Sequence, residues 1–139
     1  MQNAIADGSA LNKLKELIIA QKGNPDCIND YALLPTASII EPLLSQQTGY
    51  IQRIKTQELA IACKILGAGR EKKTDAIDFA VGVILNKKVG DKVELNEKLL
   101  DIHANDPEKL KIAKEMLQQA FIFTNSQTNP VPLIHKIID

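Results

Sequence analysis

The sequence lacks a surplus of charge of either sign. Its 17 Lys and Arg residues are balanced by 17 Asp and Glu residues over 139 positions. Because binding to a nucleic-acid backbone or to an anionic membrane requires a surplus of basic side chains, we expect neither kind of partner. A composition of 45% hydrophobic and 24% charged residues is typical of a globular protein with a real core.

Long apolar segments and a leader-like N-terminus are also missing. No apolar run approaches the ~20 residues that a bilayer-spanning helix needs. The first residues do not combine a basic region with a following apolar one, which is the pattern of a secretory leader. We therefore expect a cytoplasmic protein without membrane contact.

Cysteine is scarce as well. Cys27 and Cys63 lie outside any Cys-x-x-Cys or His-Cys spacing. A disulfide scaffold or a structural zinc site would require such spacing. Both residues are therefore predicted to be ordinary thiols, and no metal or other cofactor is expected.

The first 36 residues differ in pattern from the rest of the chain. Apolar residues recur at helical spacing between a turn at residues 7–9 and the helix breakers Gly23 and Pro25. Residues 24–36 have the composition of a linker. One amphipathic helix cannot bury its own apolar stripe, so residues 1–36, read as a helix and linker, must pack either on the rest of this chain or on a preceding domain. The stripe consists of Leu11, Leu14, Leu17 and Ile18.

Residues 37–139 mix strand and helix patterns and are predicted to form a second domain. Ile39–Leu44 predicts an edge strand because Pro42 cannot donate to a ladder. The near-continuous apolar run Phe79–Leu85 predicts a strand covered on both faces. Asn96 is expected to adopt a left-handed turn conformation. Further strands are predicted at Gly49–Ile54, around Val93, at Leu99–Ile102, at Phe121–Thr124 and at Leu133–Ile138.

Two helices are predicted in this second domain. The first covers Gln57–Leu66, with Thr56 as a possible N-cap and Gly67 or Gly69 as its end. The second opens with a capping aspartate, a proline and an acidic first turn in residues 106–108. Its predicted buried stripe is Leu110, Ala113, Met116, Leu117 and Ala120.

The glycine-rich segment Gly67–Arg70, with Lys72 and Lys73 after it, raises the question of phosphate binding. The dinucleotide fingerprint requires a third glycine, a preceding strand and a following helix. Here lysine occupies the third position and a predicted helix comes first. A helix end that turns the chain into the next strand is therefore the favoured interpretation.

The remaining titratable residues form no catalytic constellation in the sequence. His103 and His135 have no nucleophile or further ligand at a useful spacing, so His103 is predicted to be a hydrogen-bonded structural residue. Asp75 and Asp78 flank the start of an apolar segment and are expected to cap or solvate its edge. No catalytic residue is predicted.

A second function class comes from residues 89–93 and 99–102. These segments resemble half of a biotinyl or lipoyl carrier module, a flattened barrel that presents one lysine on a hairpin. In this chain Asp106 and Pro107 stand where the acceptor lysine belongs. The alternative function is therefore an autonomous biotinyl/lipoyl-like barrel module that acts in binding or protein interaction, without carrier activity.

Several separate motifs agree in order and spacing with one family. They are Gly67–Arg70, Asp75, Ile77-Asp78, Ala80–Gly82, Lys87–Asp91, Ile102–Asn105, and outside that block Leu33–Pro35, Gly49-Tyr50 and Pro132–Ile134. Together they resemble the C-terminal domain of bacterial pyrimidine-nucleoside phosphorylases and thymidine phosphorylases. The chain departs from the family pattern at Lys22 and Asn96, where glycine is common.

The resemblance implies reversible phosphorolysis, in which a pyrimidine nucleoside and inorganic phosphate give the free base and a pentose 1-phosphate in nucleoside salvage. The family's phosphate-binding and pyrimidine-binding motifs belong to the earlier part of the polypeptide, and none of them matches a position here. The resemblance therefore implies a non-catalytic structural domain. Its implied partner is the N-terminal part of the same polypeptide, within a parent enzyme that forms a homodimer.

The resemblance also implies an α+β fold. Residues 37–139 would form an α/β-hammerhead with a barrel-sandwich-like antiparallel β core, preceded by a helix from the neighbouring α/β domain. In the family that α/β domain moves against a helical domain and closes the cleft between the two. The candidates for a contact made on closure are Asn105, Asp106, Glu108 and Lys109, for which simple helix capping is the competing explanation.

Overall fold

The computed structural model of the protein describes residues 2–70 and 72–138. Three residues lie outside this description: Met1, Glu71 and Asp139. The first and last of them are the outer limits of the two predicted domains. Backbone contacts divide the chain into two compact units, Met1–Thr36 and Ala37–Asp139. Across the described part of the chain, no helix has the length and apolar character needed to cross a membrane.

The first unit is helical. Helix α1 covers Gln2–Ala6 and helix α2 covers Ser9–Ala20, followed by two short 3₁₀ turns at Pro25–Ile28 and Tyr31–Leu33. The predicted helix is confirmed, although none of its side chains is buried. Lys22, two residues after the helix, adopts a φ of +62°, a left-handed conformation that favours glycine.

The second unit contains two antiparallel sheets of three strands each. The first sheet has the order β1 (Ile39–Leu44), β5 (Lys98–Ala104), β3 (Gly82–Leu85). The second has the order β4 (Lys92–Val93), β2 (Gly49–Ile54), β6 (Phe121–Thr124). With helices α3 (Thr56–Cys63) and α4 (Pro107–Ala120), this architecture confirms the predicted α+β class.

One hydrophobic core joins both sheets and both helices of the second unit. Helix α4 contributes four buried residues of the predicted stripe, while Met116 is half-buried against the core. The alternation of β5 places Leu100 and Ile102 opposite Leu43 and Glu41 of β1. The largest side chains that are fully buried are Leu43, Ile51, Val93, Leu99, Leu100, Ile102 and Leu117.

Several local predictions are confirmed. Strand β1 lies at a sheet edge, where Pro42 is tolerated, and Asn96 has a φ of +65°. Gly67 has a φ of +118° and ends a wider π-helical turn, Lys64–Ala68, that continues α3. The N-cap position of α3 is occupied by Lys55, so the expected capping role of Thr56 is wrong.

Two predicted strands differ from the structure. The run Phe79–Leu85 forms a strand only from Gly82, and Phe79 and Ile84 are 80% and 55% exposed, so the expectation that both faces are covered is wrong. No other element packs over the outward-facing side chain of Ile84 within the described part of the chain. The predicted strand at Leu133–Ile138 has no ladder partner among the described residues and is not a strand.

Two glycines offer a matched test of close backbone packing. Gly49 and Gly82 have φ values of +157° and +151°, so alanine is strained at both. A Cβ at Gly49 would lie 2.8 Å from the Thr124 carbonyl oxygen, whereas a Cβ at Gly82 meets no atom within 4 Å. We expect Gly49→Ala to lower the free energy of unfolding in urea by roughly 1–3 kcal/mol more than Gly82→Ala. Equal losses would contradict the assigned packing of β2 on β6.

Candidate functional site

The Asn105 side chain joins three segments at one corner of the second unit. It follows the last residue of β5, and its Oδ1 accepts a hydrogen bond from the Ser38 N–H at 2.7 Å, just before β1. Its Nδ2 donates to Asp78 Oδ2 at 2.8 Å, just before β3. We call Asn105, Ser38 and Asp78 the Asn105 junction. A single amide therefore ties the start of β1 and the end of β5 to the segment that leads into β3.

Asp78 extends this junction to the end of helix α3. Its Oδ1 accepts from the Ala80 N–H at 3.0 Å, and its own N–H donates to the Gly67 carbonyl at 3.0 Å. The hydrogen bond from Asn105, then the one from the Ala80 N–H, and finally the nearby charge of Lys109 lower the pKa of the Asp78 carboxyl. The carboxylate is therefore the form that the junction stabilises.

Helix α4 begins immediately after the junction. Asp106 Oδ1 accepts from the N–H groups of Glu108 and Lys109 at 2.9 and 3.1 Å, and Pro107 occupies the first helical turn. This is N-capping as the sequence predicts. The side chains of Glu108 and Lys109 are exposed and make no ion pair with any residue that the structure describes.

The structure thus brings the four predicted closure residues to one corner and divides them into two pairs. Asn105 and Asp106 use their polar atoms inside the domain. Glu108 and Lys109 direct charged side chains of opposite sign toward solvent. Glu108 and Lys109 are therefore the pair whose side chains make no hydrogen bond or ion pair within the described part of the domain, and Asn105 and Asp106 hold the backbone before them.

The glycine-rich segment Gly67–Arg70 is placed at the C-terminal end of a helix. The Gly67 carbonyl oxygen accepts a hydrogen bond from the Asp78 N–H, and Gly69 is extended with a φ of −141°. A phosphate favours helix N-termini, where free N–H groups and the positive end of the dipole meet. The geometry therefore supports the helix-end interpretation over phosphate binding.

The histidines and thiols are not brought together. His103 lies half-buried on the outer face of the first sheet, opposite Ile40 and Gly82, and its ring makes no hydrogen bond within the described part of the chain. The expected side-chain hydrogen bond of His103 is therefore wrong. Both cysteines are unpaired, and burial raises the pKa of the Cys63 thiol, which disfavours the reactive thiolate.

An apolar cleft of about 630 Å³ is the main feature that sequence reasoning missed. Its lining includes the apolar residues Ile54, Leu59, Leu85 and Val89 and the charged residues Arg53, Lys88 and Asp91. The turn beside it is fixed by β2, since Ile51 exchanges backbone hydrogen bonds with Gly90 and Asp91 at 2.9 and 3.0 Å. Because these residues come from distant segments, only the long-range register of the strands reveals the cleft.

Comparisons with known proteins agree with the motifs. The model of the pyrimidine nucleoside phosphorylase C-terminal domain family matches residues 50–124. The chain is 38% identical over 138 residues to the pyrimidine-nucleoside phosphorylase of Staphylococcus haemolyticus (strain JCSC1435), an alignment that covers 99% of this chain and 31% of that protein. It is 39% identical over 135 residues to the pyrimidine-nucleoside phosphorylase of Staphylococcus aureus (strain USA300), covering 97% of this chain and 31% of that protein.

The Asn105 junction predicts a specific pH dependence. A lowered Asp78 pKa in the folded state stabilises the fold above the ordinary value of 3.8, and this contribution is lost as the pH falls through the lowered value. Asn105→Ala removes the largest cause, so we expect the Asp78 pKa, followed by carboxyl-carbon NMR, to rise toward 3.8. Asn125→Ala, a loop variant outside the junction, serves as control. An unchanged Asp78 pKa in Asn105→Ala would contradict the assigned hydrogen bond.

Proposed function

We propose that this chain, which belongs to the pyrimidine nucleoside phosphorylase C-terminal domain family, is the non-catalytic C-terminal part of a pyrimidine-nucleoside phosphorylase. The observation that carries the proposal is the coverage of its relatives. Two pyrimidine-nucleoside phosphorylases from Staphylococcus align with 97–99% of this chain, while the chain spans 31% of their length. The alignment thus extends well beyond the matched domain.

The whole protein would carry out phosphorolysis. A pyrimidine nucleoside reacts with inorganic phosphate as co-substrate to give the free base and a pentose 1-phosphate, a step of nucleoside salvage that needs no further cofactor. The partner of this chain is the upstream part of the same polypeptide, in a cytoplasmic homodimeric enzyme. The balanced charge of 17 basic and 17 acidic residues supports the absence of nucleic-acid and membrane partners from this proposal.

The division into two compact units supports a domain assignment within the parent. Residues 37–139 are proposed to be the α/β-hammerhead with a barrel-sandwich-like core, which the two three-stranded antiparallel sheets support. Residues 1–36 are proposed to close the preceding α/β domain. Two observations support this second assignment: α2 has no buried side chain, and the family match begins only at residue 50.

The contribution of this chain to the enzyme is proposed to be mechanical. The Asn105 junction and the Asp106 cap fix the first turn of α4, so the exposed Glu108 and Lys109 have a defined position. When the two domains of the enzyme close over the active site, these two side chains contact the other domain. A fixed presentation lowers the entropic cost of such a contact, because the backbone does not have to be ordered at that moment.

A second function is supported by the apolar cleft. Its volume of about 630 Å³ lies within the range of small-molecule sites. An autonomous barrel-like binding module would use Ile54, Leu59, Leu85 and Val89 for apolar contact and Arg53 and Lys88 for an anionic group. This function competes with the first, since it requires no upstream polypeptide.

The test is a phosphorolysis assay with thymidine and with uridine. It compares this chain alone, the Staphylococcus aureus enzyme truncated before its aligned segment, the mixture of both, and a chimera in which this chain replaces that segment. We expect no turnover by either part alone and turnover by the chimera or the mixture. Turnover by this chain alone would refute its non-catalytic role. A chimera that is folded by circular dichroism but inactive would refute the proposed family role and leave the binding module.

A further inference from the structure

The C-terminal residues 130–138, called the apolar tail here, expose several large apolar side chains to solvent. Leu133, Ile134, Ile137 and Ile138 are 100%, 71%, 75% and 85% exposed. With histidine counted as neutral, Lys136 is the only charged residue of the tail. A patch of this kind on a folded domain marks an interaction site, because water-exposed apolar surface gains free energy when it is covered.

The relatives show that this tail is more than an appendage of the domain. The domain family matches the chain only as far as residue 124, so the tail lies outside it. The alignment with the Staphylococcus haemolyticus enzyme spans 138 of the 139 residues and therefore includes the tail. The tail is thus shared with phosphorylases in which more than two thirds of the polypeptide lies outside the aligned segment.

The start of the tail is held by the domain. Gly90 has a φ of +96°, and a Cβ at this position would lie 2.9 Å from the Pro130 nitrogen and 3.1 Å from the Thr128 carbonyl oxygen. This close backbone contact fixes where the tail leaves the second unit. Pro130 and Pro132 restrict the backbone that follows, so the apolar side chains are presented with reduced conformational freedom.

The sequence of the tail favours an extended docking mode. Leu133–Ile138 has the β-branched composition of a strand, yet it has no ladder partner within residues 2–70 and 72–138. An extended segment of this kind binds by pairing with a free strand edge while its side chains enter apolar pockets. Val131 and Leu133 also line the cleft that contains Leu59 and Leu85, so the cleft and the tail form one continuous apolar surface.

We propose that the apolar tail docks in extended form on the upstream part of the phosphorylase polypeptide, with Leu133, Ile134, Ile137 and Ile138 as its contact residues. This inference rests on the proposed function. A second copy of the chain would not account for the presence of the tail in relatives that are about three times as long, whereas a surface on their additional polypeptide does.

The first test compares amide hydrogen exchange of residues 131–138 in the isolated chain and in the chimera with the Staphylococcus aureus enzyme. We expect rapid exchange in the isolated chain and at least roughly tenfold slower exchange in the active chimera, because docking protects the amides. An active chimera with an unprotected tail overturns the docking while the proposed function stands. A folded but inactive chimera overturns the proposed function, and the docking falls with it.

The second test asks whether the same substitution acts only when the upstream part is present. Ile134→Asp and Ile137→Asp should leave the melting temperature of the isolated chain unchanged, since both side chains are exposed there. In the chimera each should accelerate thermal inactivation by roughly tenfold, the effect of losing a buried anchor. The control is Ile112→Asp, at a residue of α4 that is 52% exposed. Equal effects of the tail and control variants in the chimera would overturn the docking.

Discussion

One side-chain amide, that of Asn105, ties together segments of the second unit that are distant in sequence. It joins the residue before β1, the segment that leads into β3 and the end of β5, and Asp78 carries the connection to the π-helical turn that continues α3. The hydrophobic core holds the sheets and helices together, while this polar junction adds directional contacts at one corner of the first sheet. Asp106, the next residue, caps helix α4, so the junction lies directly beside the first turn of that helix.

This chain has a well-packed hydrophobic core, but it also exposes large apolar side chains on two segments. The second unit buries a continuous cluster that includes Leu43, Leu100, Ile102 and Leu117. By contrast, α2 and the apolar tail keep large apolar side chains in water. In the proposed enzyme the upstream polypeptide covers both surfaces, because uncovered apolar area contributes nothing to stability.

Local chemistry was readable from the sequence, whereas long-range pairing was not. The cap at Asp106, the left-handed Asn96 and the edge position of Pro42 follow from single-residue conformational limits, and all three were predicted. The expectation for Phe79–Leu85 is wrong because an apolar run does not reveal where a strand begins or whether another layer covers its faces. The cleft and the Asp78–Asn105 hydrogen bond depend on strand register, which no local pattern encodes.

The most direct measurement is the turnover of the chimeric phosphorylase that carries Asn105→Ala, recorded well below its melting temperature. If the junction positions the first turn of α4 for a contact on closure, kcat falls while KM changes little, and Asn125→Ala leaves both constants unchanged. A variant that is less stable but keeps its full kcat would contradict the account. In that case the junction would hold the fold together without any part in the working enzyme.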